Sequence, residues 1–202
     1  MSLEGKKIAI IVAHEFEDIE MEYCLLQLSH EGADIQLVPM NIGFNARQSA
    51  DEPPIRGRFG TPAPPIVIFE GERYEVVDFD DLDLDELDCI LYPGGFSPDH
   101  LRAVDEVVEF TREAYERGIL VAAICHGPEM LVEADLVDGR DVTAWCSVKT
   151  SLTNAGANYH DVPAITDGNI LTGRQPDDLP EFCEEITEAL VSEEVAHAAA
   201  DD

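Results

Sequence analysis

The stretch Ile119-Leu120-Val121-Ala122-Ala123-Ile124-Cys125-His126-Gly127-Pro128 is an unbroken apolar run that ends on a cysteine and then turns at once. Six apolar residues without alternation predict a strand covered on both faces. Pro128 suits the first turn of a helix, predicted over 128–134, because the N–H it lacks has no helical partner there. Ala123 and Gly127, two before and two after the cysteine, leave room for a sharp turn, the device of the Gly-x-Ser-x-Gly elbow. Free amides and the dipole at such a helix start favour a thiolate, which makes Cys125 the candidate nucleophile. The alternative is a buried cysteine at a strand end, with His-Gly-Pro simply turning the chain.

Similar apolar runs recur on both sides, separated by amphipathic segments. Strands are predicted at Lys6–Ala13, Ile35–Val38, Cys89–Tyr92 and Val142–Cys146, with a hairpin-like pair around Asp167-Gly168-Asn169. Helices are predicted at Ile19–His30, Asp105–Arg117 and Asp178–Val191. Continuous apolar strands alternating with helices define an α/β sandwich with a mainly parallel sheet. Such sheets carry their sites at the carboxyl ends of the strands. His14–Glu20, Gly94–Arg102 and Cys125–Gly127 all lie just past strand ends, so the fold can bring them together.

Residues 41–81 break the rhythm with five prolines and the strand-turn-strand pattern Ile66–Phe69, Glu70-Gly71-Glu72, Arg73–Val77. They read as a loop and hairpin inserted in one domain, residues 1–195. Residues 196–202 read as a small, frayed acidic tail.

Forty-three Asp and Glu against twelve Lys and Arg give a formal net charge of −31. No basic nucleic-acid footprint is present, and an anionic membrane would repel this surface. The acids read as a solvated surface suited to a salt-rich cytoplasm, with loss of structure expected in dilute buffer. No apolar run reaches the length of a membrane span, and the N-terminus leads into a strand without a small-residue cleavage site, so a cytoplasmic protein is expected. The five cysteines (Cys24, Cys89, Cys125, Cys146, Cys183) show no Cys-x-x-Cys pair and no zinc-like spacing, so reduced thiols and no metal or cofactor are expected. Cys146 reads as buried filler near a strand end.

Glu15-Phe16-Glu17-Asp18-Ile19-Glu20 supplies acids near the first strand end, with Glu17 and Glu20 three apart on one helical face. First-turn acids also simply suit a helix N-terminus. A carboxyl beside a thiolate and away from water would have its pKa raised, and could stay protonated to donate a hydrogen bond to sulfur. Pro93-Gly94-Gly95, with the His126 amide, could form an oxyanion hole. His14, Glu20 and Trp145 can wall the pocket, although a surface histidine and a packing tryptophan are the plainer readings. His100 reads as interface or solvent-exposed.

These segments, with Tyr92-Pro93-Gly94-Gly95, Ala123-Ile124-Cys125-His126-Gly127-Pro128, Gly139-Arg140, Asn154-Ala155-Gly156 and Asp167-Gly168-Asn169, occur in the order and spacing of the ThiJ/PfpI superfamily, which the chain resembles over roughly Lys6–Leu190. The resemblance implies a flavodoxin-like three-layer sandwich with a nucleophile elbow, and a homo-oligomer, dimer or larger. Activities attributed to the family are an intracellular peptidase and cofactor-independent glyoxalase or deglycase chemistry. By the same resemblance Cys125 is the nucleophile, Glu17 the acid on its sulfur, His126 the histidine that follows it, and Gly95 the oxyanion-hole glycine. Asp99 matches the acid that, in PfpI peptidases, reaches a neighbouring subunit's histidine. Two positions depart from the pattern: Phe96 stands where arginine is common, and Trp145-Cys146 replaces an aromatic-proline pair.

The expected function is attack on a small carbonyl compound, with a peptide substrate ranked second and a non-catalytic redox or stress sensor as the other class. Glutamine amidotransfer is discounted, since no His-x-Glu follows Cys125.

Overall fold

A computed structural model describes residues 2–42, 55–66, 68 and 70–200, with side chains as far as residue 192. The elements in chain order are β1 (Lys7–Val12), α1 (Asp18–His30), β2 (Asp34–Pro39), β3 (Ile55–Arg56), β4 (Pro62–Ala63), β5 (Glu75–Val76) and β6 (Cys89–Tyr92). There follow α2 (Ser97–Leu101), α3 (Asp105–Glu116), β7 (Leu120–Ile124), α4 (Glu129–Glu133), β8 (Asp141–Val142), α5 (Lys149–Asn154) and β9 (Asn158–Tyr159). The chain closes with β10 (Ala164–Asp167), β11 (Ile170–Gly173) and α6 (Leu179–Ala200).

Seven strands form one sheet in the order β10-β11-β7-β6-β1-β2-β5. All neighbours are parallel except the β10–β11 hairpin, which turns through Gly168 as its sequence predicts. This is the flavodoxin-like sandwich, and β1 shows how the sequence builds it. Successive side chains of a strand point to opposite faces. Ile8, Ile10 and Val12 therefore pack with Met21, Leu25 and Leu28 of α1 and Phe182 and Ile186 of α6. Ala9, Ile11 and Ala13 pack on the other face with Val107 of α3, Met130 and Leu131 of α4 and Leu152 of α5. With both faces covered, no polar alternation survives in the strand.

After β5 the chain crosses to the far side of β1, so β1 lies between β2 and β6. The strand order reverses there, and the loops leaving β1 and β6 open a crevice. Because β6 and β7 are also parallel, the loop after β7 emerges at the same edge.

Three expectations change. The hairpin of the inserted region is β3 with β4, earlier than expected; β5 instead pairs in parallel with the edge of β2, and Glu70 meets Tyr74 in an isolated bridge. Residues 43–54, 67 and 69 lie outside the described residues. The strand expected over Val142–Cys146 is only Asp141–Val142, paired with β9 away from the main sheet. Its continuation is tied by other bonds: the Thr143 amide donates to Thr172 Oγ1 at 2.9 Å and the Trp145 amide to the Cys125 carbonyl at 3.0 Å. The last helix continues to Ala200, through most of the segment expected to fray. Among the described residues no helix is long and apolar enough to cross a membrane.

Candidate active site

Cys125 follows β7 with φ 62°, a left-handed conformation that a Cβ makes costly by about 1–2 kcal/mol. Its backbone is fixed on both sides: the Cys125 amide donates to the Gly173 carbonyl at 2.9 Å, and its carbonyl accepts from Trp145. The Gly127 amide closes the turn onto the Ile124 carbonyl at 2.7 Å. A Cβ on Gly127 would run into the Tyr92 carbonyl oxygen and the backbone of Ile124, so the small residue is a steric requirement. The helix that follows, α4, has five residues, too short for a substantial dipole. The sulfur draws its donors from elsewhere, from the backbone N–H groups of Gly95 and His126.

The loops leaving β1 and β6 are laced together. The Phe96 amide donates to the Glu15 carbonyl at 2.8 Å and the Glu17 amide to the Gly94 carbonyl at 3.2 Å. Gly95, at φ 73°, has no room for a Cβ against the backbone of Glu15 to Glu17. That lacing sets α1 so that Glu20, in its first turn, points into the elbow.

Glu20, and not Glu17, is the acid against the sulfur. Its side chain is fully buried. Oε2 accepts the Gly94 amide at 2.6 Å, while Oε1 receives no donor. The carboxyl also interacts with the Cys125 thiol. Burial pushes the Glu20 pKa up to about 8, opposed by the Gly94 hydrogen bond. The Cys125 pKa is raised too, by burial first and then by the charge of Glu20. A buried pair this close releases its protons as a unit. Glu17 is the N-cap residue of α1, one turn short of this position, and its carboxylate, buried as well, pairs with Arg58 at 2.9 Å.

His126 Nδ1 lies 3.3 Å from the Cys125 sulfur, and its Nε2 lies 3.3 Å from Ser147 Oγ. Burial lowers its pKa, with Asp99 pulling in the opposite direction and Arg58 adding to the depression, which favours the neutral ring. Asp99 thus acts on the histidine of its own chain through its field, while its direct partner is Arg102 at 2.9 Å. Arg102 also holds Glu129 at 2.7 Å.

His14 is buried, contrary to the surface reading. Burial lowers its pKa, and the charge of His100 lowers it further. Trp145 is a little over one-third exposed beside the elbow, and Cys146 is exposed, not buried filler. Among the described residues no cluster of three His, Cys, Asp or Glu is placed to hold a metal ion.

The sequence reading missed Arg58. It stands in the β3–β4 turn, which is bolted to the loop after β1. Asp18 accepts the amides of Phe59 at 2.9 Å and Thr61 at 2.8 Å. The Glu15 amide reaches the Arg56 carbonyl at 2.7 Å and the Arg58 amide the Phe16 carbonyl at 2.9 Å. The one signal in the sequence is a cation within Arg56-Gly57-Arg58-Phe59-Gly60, a turn in a chain that is otherwise strongly acidic.

The DJ-1/PfpI family model matches residues 6–189. A Bacillus subtilis protein named "Putative cysteine protease YraA" is 36% identical over 179 residues, covering 88% of this chain and 94% of that one. A crystal structure from Anabaena variabilis, of a two-domain protein containing DJ-1/ThiJ/PfpI-like and ferritin-like domains, superposes with a TM-score of 0.71 at 30% identity. The match covers 92% of this chain and about half, 50%, of that protein. Drosophila melanogaster DJ-1beta superposes with a TM-score of 0.72 at 22% identity, covering 94% and 91% of the two chains; this likeness is one of fold.

Proposed function

The chain belongs to the DJ-1/PfpI family, and on that footing we propose that it is a cysteine-dependent enzyme in which Cys125 attacks an electrophilic carbonyl carbon. One observation carries the reading: a strained elbow cysteine with two backbone amides on its sulfur and a buried, proton-holding carboxyl beside it. Removal of one proton from the Cys125–Glu20 pair leaves a single negative charge. Sulfur is the better seat for it, because two N–H groups face sulfur and one faces the carboxyl. Glu20 then keeps its proton and donates toward the thiolate.

With a 2-oxoaldehyde the sulfur–carbon bond forms as the carbonyl π pair moves to oxygen. The oxyanion arises one bond from the sulfur, within the field of the Gly95 and His126 amides, and takes the Glu20 proton. Neutral His126 then moves the proton from C1 toward C2, and water releases the thioester as a 2-hydroxy acid. The sum is 2-oxoaldehyde plus water giving 2-hydroxy acid, C1 being oxidised as C2 is reduced, with no outside oxidant. Conversion of methylglyoxal to lactate in high salt tests this, with Cys125→Ala as control. Absence of product from the wild type would sink it.

The second reading is an intracellular cysteine peptidase. The Bacillus relative's name and the 3.3 Å approach of His126 to sulfur favour it, since a peptide leaving group needs a proton donor. A quenched fluorescent peptide assayed beside methylglyoxal separates the two. A reducing, cytoplasmic setting suits five free cysteines. A homo-oligomer belongs to the same proposal, and the exposed Phe59, Ile66 and Phe96 supply apolar surface for it. Light scattering checks the mass.

A further inference from the structure

We propose that Arg58 makes the site selective for electrophiles that carry an anionic group, a carboxylate, next to the reacting carbon. The inference rests on Cys125 being the nucleophile and adds the class of molecule it meets.

Four contacts of its own and two made by its turn fix Arg58 where it is. Its guanidinium lies over the rings of Phe59, at 5.6 Å, and Phe96, at 5.8 Å. Phe96 directly follows Gly95, whose amide faces the sulfur. Nη1 reaches Glu17 at 2.9 Å. The backbone of its turn is held by Asp18 and by the Phe16 carbonyl. Even glycine at position 57 is dictated by this docking, since a Cβ there would collide with the Asp18 carboxylate. All this ordering presents one cation to the elbow: the charge of Arg58 acts on both Glu20 and His126.

A guanidinium offers five N–H donors in a planar fork, and Glu17 takes one of them. The side chain remains 40% exposed, so an edge of the fork is open to a carboxylate. Among the described residues the other cation near the site, Arg102, is held by both Asp99 and Glu129. A chain of net charge −31 repels anions from most of its surface. An anionic electrophile therefore needs a local cation, and Arg58 is placed to be it. Glu17 is then a competitor that occupies the fork when no ligand does.

The test uses two alkylating agents of nearly equal size, iodoacetate and iodoacetamide, on the full chain. Each forms a sulfur–carbon bond with the thiolate and releases iodide, and they differ by one charge. Peptide mass spectrometry reads the rate at Cys125, with exposed Cys146 as internal reference. The iodoacetate-to-iodoacetamide ratio at Cys125 should exceed that at Cys146 by about tenfold at low salt. Arg58→Gln should abolish the excess in the ratio, in which any change of the thiolate common to both reagents cancels, and Arg58→Lys should keep part of it. Glu17→Gln leaves the cation in place and should raise the ratio, which guards against a turn that loosens in Arg58→Gln. Equal ratios at the two cysteines, or a ratio that ignores both variants, would overturn the inference alone. A Cys125 inert to both reagents would overturn the nucleophile reading and this inference with it.

Discussion

Gly94 donates its amide to Glu20 Oε2 at 2.6 Å, and the Cβ it lacks is what lets Glu20 and Cys125 share the space beside it. An added methyl would stand 2.8 Å from Cys125 Cβ, 2.8 Å from the His126 amide nitrogen and 2.9 Å from Glu20 Oε2. Backbone and short side chains cannot swing away from it.

Gly94→Ala should therefore destabilise the protein by about 1–3 kcal/mol. It should also slow Cys125 alkylation by at least about tenfold, because it pushes the sulfur off its two amide donors. Urea denaturation and iodoacetamide kinetics check the pair of effects. Wild-type values for both would mean the crevice is looser than described.

Glu20 makes stability depend on pH in a definite direction. Its folded pKa, about 8, lies above the ordinary 4.5. Stability from holding that proton is thus complete below about 4.5 and is lost as pH rises through about 8. Between pH 6 and 9 the loss should reach about 2–3 kcal/mol. Glu20→Gln, which cannot ionise, should flatten that part of the curve. Urea midpoints at the two pH values settle it.

Cys125 alkylation by a neutral reagent should rise with pH and inflect where the Cys125–Glu20 pair gives up its first proton. In Glu20→Gln the carboxyl proton is gone and the amide is a weaker donor, so the inflection should move upward. An unmoved inflection would show that the two groups titrate separately.

Asp18→Ala strips the acceptor from the Phe59 and Thr61 amides. The cost should be about 1–3 kcal/mol, concentrated in the β3–β4 turn. Limited proteolysis should shift to residues 56–61, and the charge preference assigned to Arg58 should fall with it. Uniform resistance to protease would remove Asp18 from this role.

The acidic surface predicts a melting temperature that climbs with salt concentration, as self-repulsion among 43 acids is screened. Calorimetry from dilute buffer to molar salt measures it, and a flat response would dispose of the salt-rich reading.

The inner strands of the main sheet were legible because burial on both faces leaves a plain apolar run, as in Ile119–Ile124. Cys125 was legible because only small neighbours permit its turn. The strand beyond Val142 was not, since Thr143 and Trp145 are bonded to a side chain and to the elbow and do not form a ladder. Choosing between Glu17 and Glu20 needed a finer reading of the helix. Glu20, Cys24 and Leu28 share one buried stripe at i, i+4 and i+8, so an acid there is the anomaly worth explaining, whereas Glu17 stands before the first turn and pairs with Arg58. Arg58 depends on a turn folding back across forty residues, and no periodicity carries that.

Both backbone groups of Cys125 are anchored, one to Gly173 and one to Trp145, by bonds that do not involve its sulfur. Deleting the thiol should leave the frame standing around an unoccupied seat. Cys125→Ala thus becomes a bait: a protein that still gathers its natural ligand, cannot consume it, and yields it for identification when the complex is unfolded.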